Sequence, residues 1–459
     1  MSPQTPVRAV AGARELERVL TLLKTHGWNS TSFQVLEPGF RYWFDGDDGC
    51  VAYVDTGRAW VVGGAPIAHQ ERFVDVMRSF QAAAVTAGRR VCCFGTESRF
   101  HETVGWPSIR IGDQPVWSPA DWTETLSRSK SLREQLRRAR AKGSTVRRLD
   151  AAELAASHPT RSELDTLIAR WLATRPMATM GFLVQVHPYT FPEERRCFVA
   201  ELDGRIVGFL GVVPVYARGG WFFEDFLGTP DAPNGTIETL IDAGMRGAAA
   251  EGATYVTLGL APLVGEVAVW LRMFRRWGGG LYDFAGLRAF KAKFKPRVWD
   301  PISLSYPPGG AAWTAILDTL SAFSQGGLLA FGVRTLIRGP AIVMRVLALL
   351  LVPWIAVLSL PSSAAWFPSE AWRWGWVVFD VAIGASLFYL SQRWHPRLAD
   401  ALAGAITLDA VVTLIQAVAF DIPRHHAPFD WLVILVAVLA PMIAATLLWA
   451  GRAHRRVRA

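Results

Sequence analysis

Between residues 40 and 305, short apolar runs alternate with Gly- and Asp-containing breaks, and the strand-like and helix-like periods follow the same order twice. In the first copy, 50–55 and 58–65 read as strands around a Thr56-Gly57 turn, 73–87 has a helical period and 91–96 is again a strand. In the second, 197–202 and 206–215 are strands joined by Asp203-Gly204. A third strand at 221–227, a helix at 236–251 and a strand at 255–260 follow. Paired strands, a helix and a further strand, given twice, predict a duplicated α/β module with a mixed sheet in each half.

The pattern changes near residue 340. From there the apolar residues gather in four runs, 342–360, 374–390, 401–420 and 429–449, each of roughly bilayer-spanning length. Trp354, Trp366, Trp372, Trp374, Trp376 and Trp449 lie near run ends, where indoles suit the lipid–water interface. Four spans put both termini on one side. Arg334 and Arg338 precede the first run, Arg393 and Arg397 lie between the second and third, and Arg452, Arg455, Arg456 and Arg458 follow the fourth. The other two loops hold only Arg373 and Arg424, so the positive-inside rule predicts a multi-pass cell-membrane protein with its N-terminal part and C-terminus cytoplasmic. Asp380 and Asp409 fall inside runs, where a carboxyl is expected to face the bundle. Upstream, Trp313, Ile316, Leu320, Phe323 and Leu328 recur at near-helical intervals, and 313–338 reads as a helix lying in the interface. The chain therefore divides into a first module (1–122), a basic linker (123–150), a second module (151–308), an amphipathic segment (309–340) and an all-α four-helix transmembrane domain (341–459).

With 459 residues, 51% of them hydrophobic, and a net charge of +9, the chain is neither disordered nor a small disulfide scaffold. Four cysteines without a CxxC pair fit reduced thiols and offer no metal-ligand spacing. The charged first thirty residues lack a signal-peptide core, which predicts a cytosolic start. The basic excess is concentrated: 128–148 holds nine basic residues against the single acid Glu134. Ser131 and Glu134 form a capping-box pattern and Gly143 a stop, predicting a helix over 132–142. Like charges at that density repel unless something anionic faces them, so Arg133, Arg137 and Arg138 are candidate phosphate ligands for tRNA or a membrane surface; nothing points to DNA.

At the second module the wording becomes specific. Phe198-Val-Ala-Glu-Leu-Asp-Gly-Arg-Ile-Val-Gly-Phe209, Glu224-Asp225-Phe226-Leu227, Pro230-Asp-Ala-Pro-Asn-Gly235, Leu258-Gly-Leu-Ala-Pro-Leu263 and Phe290-Lys-Ala-Lys-Phe-Lys-Pro296 resemble, in order and spacing, the C-terminal domain family of lysylphosphatidylglycerol synthases. With the basic segment as that family's linker helix, the resemblance covers about 30–306. It implies a tandem GNAT-like pair and transfer of an aminoacyl group from charged tRNA to the glycerol hydroxyl of phosphatidylglycerol, with no cofactor beyond the tRNA donor. Two departures stand out. The synthases carry a many-helix flippase before this domain, whereas here apolar runs follow it, and Gly228 occupies the place of a family arginine three residues after the aspartate matched by Asp225.

Transfer to a hydroxyl requires a base near the attacking oxygen, donors for the oxyanion and cations for phosphates. Asp225, closing an apolar strand before a Pro/Gly-rich turn, suits the base; the same position also suits a carboxylate that caps the turn. Glu224 is expected on the opposite strand face in a structural role. Arg288, Lys291 and Lys293 interleave with Leu287, Phe290 and Phe294 at helical spacing, the aromatics as core and the cations as substrate contacts or a solvated face, with Asn234 and Gly235 in the turn as further candidates. The RxxGxG pattern at 275–280 follows a helix rather than opening one, and Pro230 and Pro233 remove amide donors from 228–235, so an acetyl-CoA cradle is disfavoured. His425 and Asp430 match an HxxxxD pattern but fall in a loop expected outside the cytoplasm. Three readings remain open: an aminoacyl-tRNA-dependent lipid transferase, a lipid acyltransferase using an acyl thioester, and a non-catalytic module that binds lipid or a partner.

Overall fold

The structure is a computed structural model that describes residues 12–456 apart from 176–179, 266, 269–282, 325–326, 329, 333–334, 336–339, 393–394 and 425–427. The RxxGxG pattern at 275–280, His425 and the flanking Arg334, Arg338, Arg393 and Arg458 lie outside the described residues. The chain forms two compact units that divide near residue 328.

In the first unit the repeat is real, but its sheets are not separate. Strands β1 (Arg41–Phe44), β2 (Cys50–Asp55), β3 (Ala59–Gly63), β4 (Arg90–Thr96), β5 (Ser108–Trp117), β6 (Thr145–Leu149), β7 (Arg196–Leu202), β8 (Arg205–Val215), β9 (Gly220–Gly228), β10 (Tyr255–Thr257), β11 (Ala261–Pro262) and β12 (Val298–Ser305) join in one sheet. Its order is β1-β2-β3-β4-β12-β5-β10-β9-β8-β7-β6, with β11 on β5. The two copies show in the matched parallel pairs, β3 with β4 and β9 with β10. Each is bridged by a crossover helix, α2 (Phe73–Thr86) in the first copy and α7 (Thr236–Ala250) in the second. The last strand of each copy has changed sides: β12, from the second, lies against β4 of the first, and β5, from the first, lies against β10 of the second. A mixed sheet in each half is thus corrected to a single sheet. Strand exchange pairs residues as remote as Ser303 with Thr96 and Val256 with Trp117, which local periodicity does not register.

The linker helix α5 (Lys130–Ala141) is capped at Ser129, earlier than the Ser131 capping box suggests. Leu132, Leu136 and Ala139 are buried and pack the helix against the start of α7. Gly235 there has φ +100°, and a Cβ on it would lie 2.6 Å from Gln135 O and 3.1 Å from Ala139 Cβ. The glycine is required by the backbone approach of α5, not by a ligand. α6 (Pro159–Thr174) covers the other face of the second half-sheet through Leu164 and Leu167, packed with Cys197, Val199, Phe209 and Leu227. α8 (Phe284–Ala292) and α9 (Ala312–Phe323) complete the elements that bear on the site.

The second unit is helical: α10 (Pro340–Ser359), α11 (Glu370–Gln392), α12 (Pro396–Gln416) and α13 (Pro428–Arg456). α11, and α12 together with the π turn that carries it to Asp421, are long and apolar enough to cross a membrane; the apolar stretches of α10 and α13 are shorter. Asp380 is buried inside this bundle, as expected of a charge within an apolar run.

Because α5 touches α7 through the Gly235 approach, Gly235→Ala should weaken that contact by about 1–3 kcal/mol. Hydrogen–deuterium exchange should report faster exchange in α5 and the start of α7, with Arg137→Ala, an exposed change on the same helix, leaving the rates near wild type.

Candidate functional site

The register of β9 decides where its carboxylates point. Asp225 pairs with Gly211 of β8 and Phe223 pairs with Val212, so Glu224 is an extra residue, a β-bulge, opposite no partner. Without the bulge, adjacent residues would face opposite sides of the sheet. With it, Glu224 and Asp225 enter one buried cluster, which corrects the expectation that Glu224 lies on the other face.

At the centre of that cluster is Arg195, just before β7. Its Nη1 donates to Glu224 Oε2 at 2.9 Å, its Nη2 to Glu37 Oε1 at 3.3 Å, and its Nε to the Thr190 carbonyl at 2.8 Å. The side chains of Arg195, Glu37 and Glu224 are 0, 1 and 2% exposed. Gln34 Nε2 donates to Glu224 Oε1 and to the Leu183 carbonyl, each at 2.9 Å, and the Phe33 ring lies 5.1 Å from the guanidinium carbon. Gln34 and Glu37 come from the first module; Arg195, Glu224 and Asp225 come from the second. The site therefore belongs to the junction of the two copies.

One guanidinium cannot balance three carboxylates. Burial pushes Asp225 well above the usual carboxylate range, and the adjacent Glu224 charge pushes the same way, against a smaller opposing pull from Arg195. Glu37 is raised too, by burial first and then the Glu224 charge, against the pull of Arg195, with Asp225 and a side-chain hydrogen bond with Glu224 adding to the rise. Asp225 Oδ2 and Glu37 Oε2 are buried without a hydrogen-bond partner. The turn after β9 is held without Asp225, by Thr229 N and Oγ1 on the Val207 carbonyl and Thr236 Oγ1 on the Pro233 carbonyl. That removes the turn-capping reading. Among the described residues, no three His, Cys, Asp or Glu side chains converge on a metal position.

The cationic candidates are elsewhere. Lys291 Nζ is buried and donates to the carbonyls of Leu258, Gly259 and Leu260 at 2.7, 2.8 and 2.9 Å, closing the gap that opens where β10 leaves β9; burial brings its ammonium down to about 7. It is a structural plug rather than a free substrate contact. Lys293 Nζ pairs with Glu238 Oε1 at 2.7 Å in the first turn of α7, and Arg288 lies over the Trp299 ring. Phe290 of α8 stacks on Phe226 at 5.6 Å. The charges felt by Asp225 are those of Glu224 and Arg195, not those of α8. Asn234 is exposed beside Gly235.

The linker cations are partly paired within the fold. Arg137 and Arg138 share Glu134 and hold its carboxyl down to about 2, and Arg128 pairs with Glu124. Arg140 reaches Asp242, while Arg147 and Arg148 reach Glu201 and Glu251. Arg133 binds the Leu126 and Ser127 carbonyls. Acids distant in sequence thus meet Arg140, Arg147 and Arg148, whereas Arg137 and Arg138 have only Glu134 between them. Glu37, Gln34 and Arg195 were missed by sequence reasoning; none sits in a recognisable motif.

The profile of the family described as phosphatidylglycerol lysyltransferase, C-terminal, matches residues 20–306. A phosphatidylglycerol lysyltransferase of Bacillus subtilis is 26% identical over 312 residues, covering 63% of this chain and 35% of that protein. The bifunctional lysylphosphatidylglycerol biosynthesis protein LysX of Mycobacterium tuberculosis is 24% identical over 220 residues, covering 46% of this chain and 18% of its own length. The chain thus spans about a third of the Bacillus relative's length and under a fifth of the Mycobacterium one's. Among solved structures, L-PGS from Bacillus licheniformis has TM-score 0.58 at 23% identity, covering 66% of this chain and 95% of that one. A lysylphosphatidylglycerol synthetase-type C-terminal domain from Agrobacterium fabrum also has TM-score 0.58 at 23% identity, covering 69% and 99%. The similarity establishes the mixed α/β, GNAT-like fold of the first unit.

The raised pKa of Asp225 has a signed consequence. A carboxyl whose folded pKa exceeds its unfolded value contributes stability at low pH that is lost as pH rises through the folded pKa. Asp225→Asn should therefore remove part of the alkaline loss of thermal stability in detergent solution and leave the protein at least as stable as wild type above neutral pH. A lower melting temperature at every pH would instead make Asp225 a structural residue.

Proposed function

Because the chain belongs to the phosphatidylglycerol lysyltransferase C-terminal family, we propose that it is a membrane-tethered aminoacyltransferase. It moves an aminoacyl group from aminoacyl-tRNA to a hydroxyl of a phospholipid such as phosphatidylglycerol. In the transfer, the ester bond to the tRNA ribose breaks and an ester to the lipid hydroxyl forms. Asp225, protonated in the resting protein, is ionised when the donor's α-ammonium enters the cluster and its own proton leaves to solvent; it then takes the hydroxyl proton and passes it to the departing ribose oxygen. Glu224 and Glu37 supply negative charge for the α-ammonium of the aminoacyl group, while Arg195 fixes their geometry and keeps both from being left without a partner.

The observation that carries this reading is the surplus of carboxyls around Arg195, with Asp225 Oδ2 unpartnered among them. A cationic aminoacyl group balances such a cluster; a fatty acyl thioester carries no ammonium. The thioester reading meets a second obstacle at the start of α7, where a nucleotide phosphate would sit in an acetyl-CoA enzyme. The α5 backbone occupies that approach at Gly235. Arg288, Lys293, Asn234 and the linker residues Arg133, Arg137 and Arg138 are the groups left to meet phosphate of the tRNA or the lipid, in exchange for their present partners. For the second unit, four membrane crossings with both termini cytoplasmic accord with a donor available only in the cytosol; α11 and α12 support two of the four by length and composition.

Full-length protein in phosphatidylglycerol vesicles, given tRNA charged with radiolabelled amino acids, should yield a labelled lipid. Asp225→Asn should lower turnover by roughly 100-fold or more. Glu224→Gln should also reduce transfer, mainly through a higher KM for the donor, because the bulge puts it in the same cluster. A labelled lipid made only from acyl thioester would favour the second reading, and no product from either donor would favour a binding module.

A further inference from the structure

The helix α9 shows an unpartnered face on a unit that otherwise hides its large apolar residues. One side is fixed to the sheet: Arg90 Nε and Nη2 clasp Asp318 at 2.8 and 2.6 Å, Cys92 Sγ meets the Ala315 carbonyl, and Ala315, Thr319 and Ala322 are buried. Ile316 and Phe323 also turn inward; Phe323 packs edge-on against Phe94 at 5.1 Å and Phe182 at 5.2 Å. The apolar stripe expected from sequence is therefore divided, because part of it is core. What remains outside is Trp313, Leu317 and Leu320, one face at i, i+4 and i+7, and these are 65, 43 and 41% exposed. Apart from Leu328 just beyond the helix, the other exposed large apolar residues among the described residues of this unit are the scattered valines Val74, Val85, Val184 and Val298.

We propose that this face of α9 is a membrane-docking surface, with Trp313, Leu317 and Leu320 seated in the headgroup region of an anionic bilayer. Chain continuity identifies the occupant. Phe323 is followed within 17 residues by Pro340, the start of the apolar helices. Even fully extended, that connection reaches no more than about 60 Å, so the bilayer that the apolar helices enter is within reach of this face. Charge agrees: no acid occurs between Asp318 and Glu370, while Arg334, Arg338 and Arg345 do, and Asp318 itself is neutralised by Arg90. A Trp/Leu face with a neutral, firmly held back suits an interfacial helix. The Arg90–Asp318 pair transmits the docking to β4, so the catalytic unit is held against the lipid by a surface of its own, in addition to the tether. This inference does not rest on the proposed transfer reaction; docking holds whether or not Asp225 is a base.

Site-directed spin labelling tests it in the full-length protein, whose described cysteines are all buried and unreactive. A nitroxide at Leu317→Cys and, separately, at Trp313→Cys is compared with one at Lys142→Cys in nanodiscs containing phosphatidylglycerol. Both α9 labels should collide with oxygen, be shielded from a water-soluble nickel chelate, and report a depth about 5–10 Å below the phosphates. Chelate access equal to that at residue 142 would overturn the proposal. So would dipolar broadening between residue-317 labels that disappears on dilution with unlabelled protein, since it would assign the face to a second copy. The pair of label sites guards against one substitution disturbing the helix.

Discussion

A single guanidinium sealed among three carboxyl groups constrains the rest of the first unit. Arg195 is fully buried and always charged, so the fold must bring acceptors to it; two carboxylates and a carbonyl do so. One carboxylate comes from each copy of the repeat. The copies cannot drift apart without leaving a charge stranded, and the exchange of β5 and β12 within one continuous sheet is the backbone arrangement that holds them together. The bulge at Glu224 is the local counterpart of that constraint, since it turns a second carboxyl toward the same cation and places Asp225 where nothing in the fold satisfies it.

The two faces of β9 divide the labour. Phe226 and Phe290 join the apolar layer around α7, where Lys291 ties the splayed backbone and Lys293 pairs with Glu238. Asp225 lies among the charges of the junction instead. A buried carboxyl without a hydrogen bond is a stability cost that a purely structural position would shed, and such local conflicts concentrate where chemistry is done. Under the proposed transfer, that conflict has a use.

Much of this was legible in the sequence, and the rest was hidden for identifiable reasons. The repeat, the parallel strand-helix-strand units, the change of character near residue 340 and the family wording follow from local period and local order, which short-range sequence reports well. The face of Glu224 did not, because one inserted residue in β9 inverts the alternation on which the inference rests. Arg195, Gln34 and Glu37 stand outside every motif and meet only through pairing of distant strands. The partners of Arg140, Arg147 and Arg148 were hidden because Asp242, Glu201 and Glu251 are remote along the chain. The stripe on α9 was read as one apolar face, although Ile316 and Phe323 belong to the core and Trp313, Leu317 and Leu320 do not.

The central claim is that the Arg195 cluster holds protons because it has more carboxyls than one cation can balance. Infrared difference spectroscopy of the full-length protein at neutral pH measures this directly, through the carbonyl stretch of a protonated carboxylic acid. The account predicts such a band, reduced in Glu37→Gln and reduced separately in Asp225→Asn. A band unchanged by both substitutions would mean that these carboxyls are ionised in the resting protein and would contradict it.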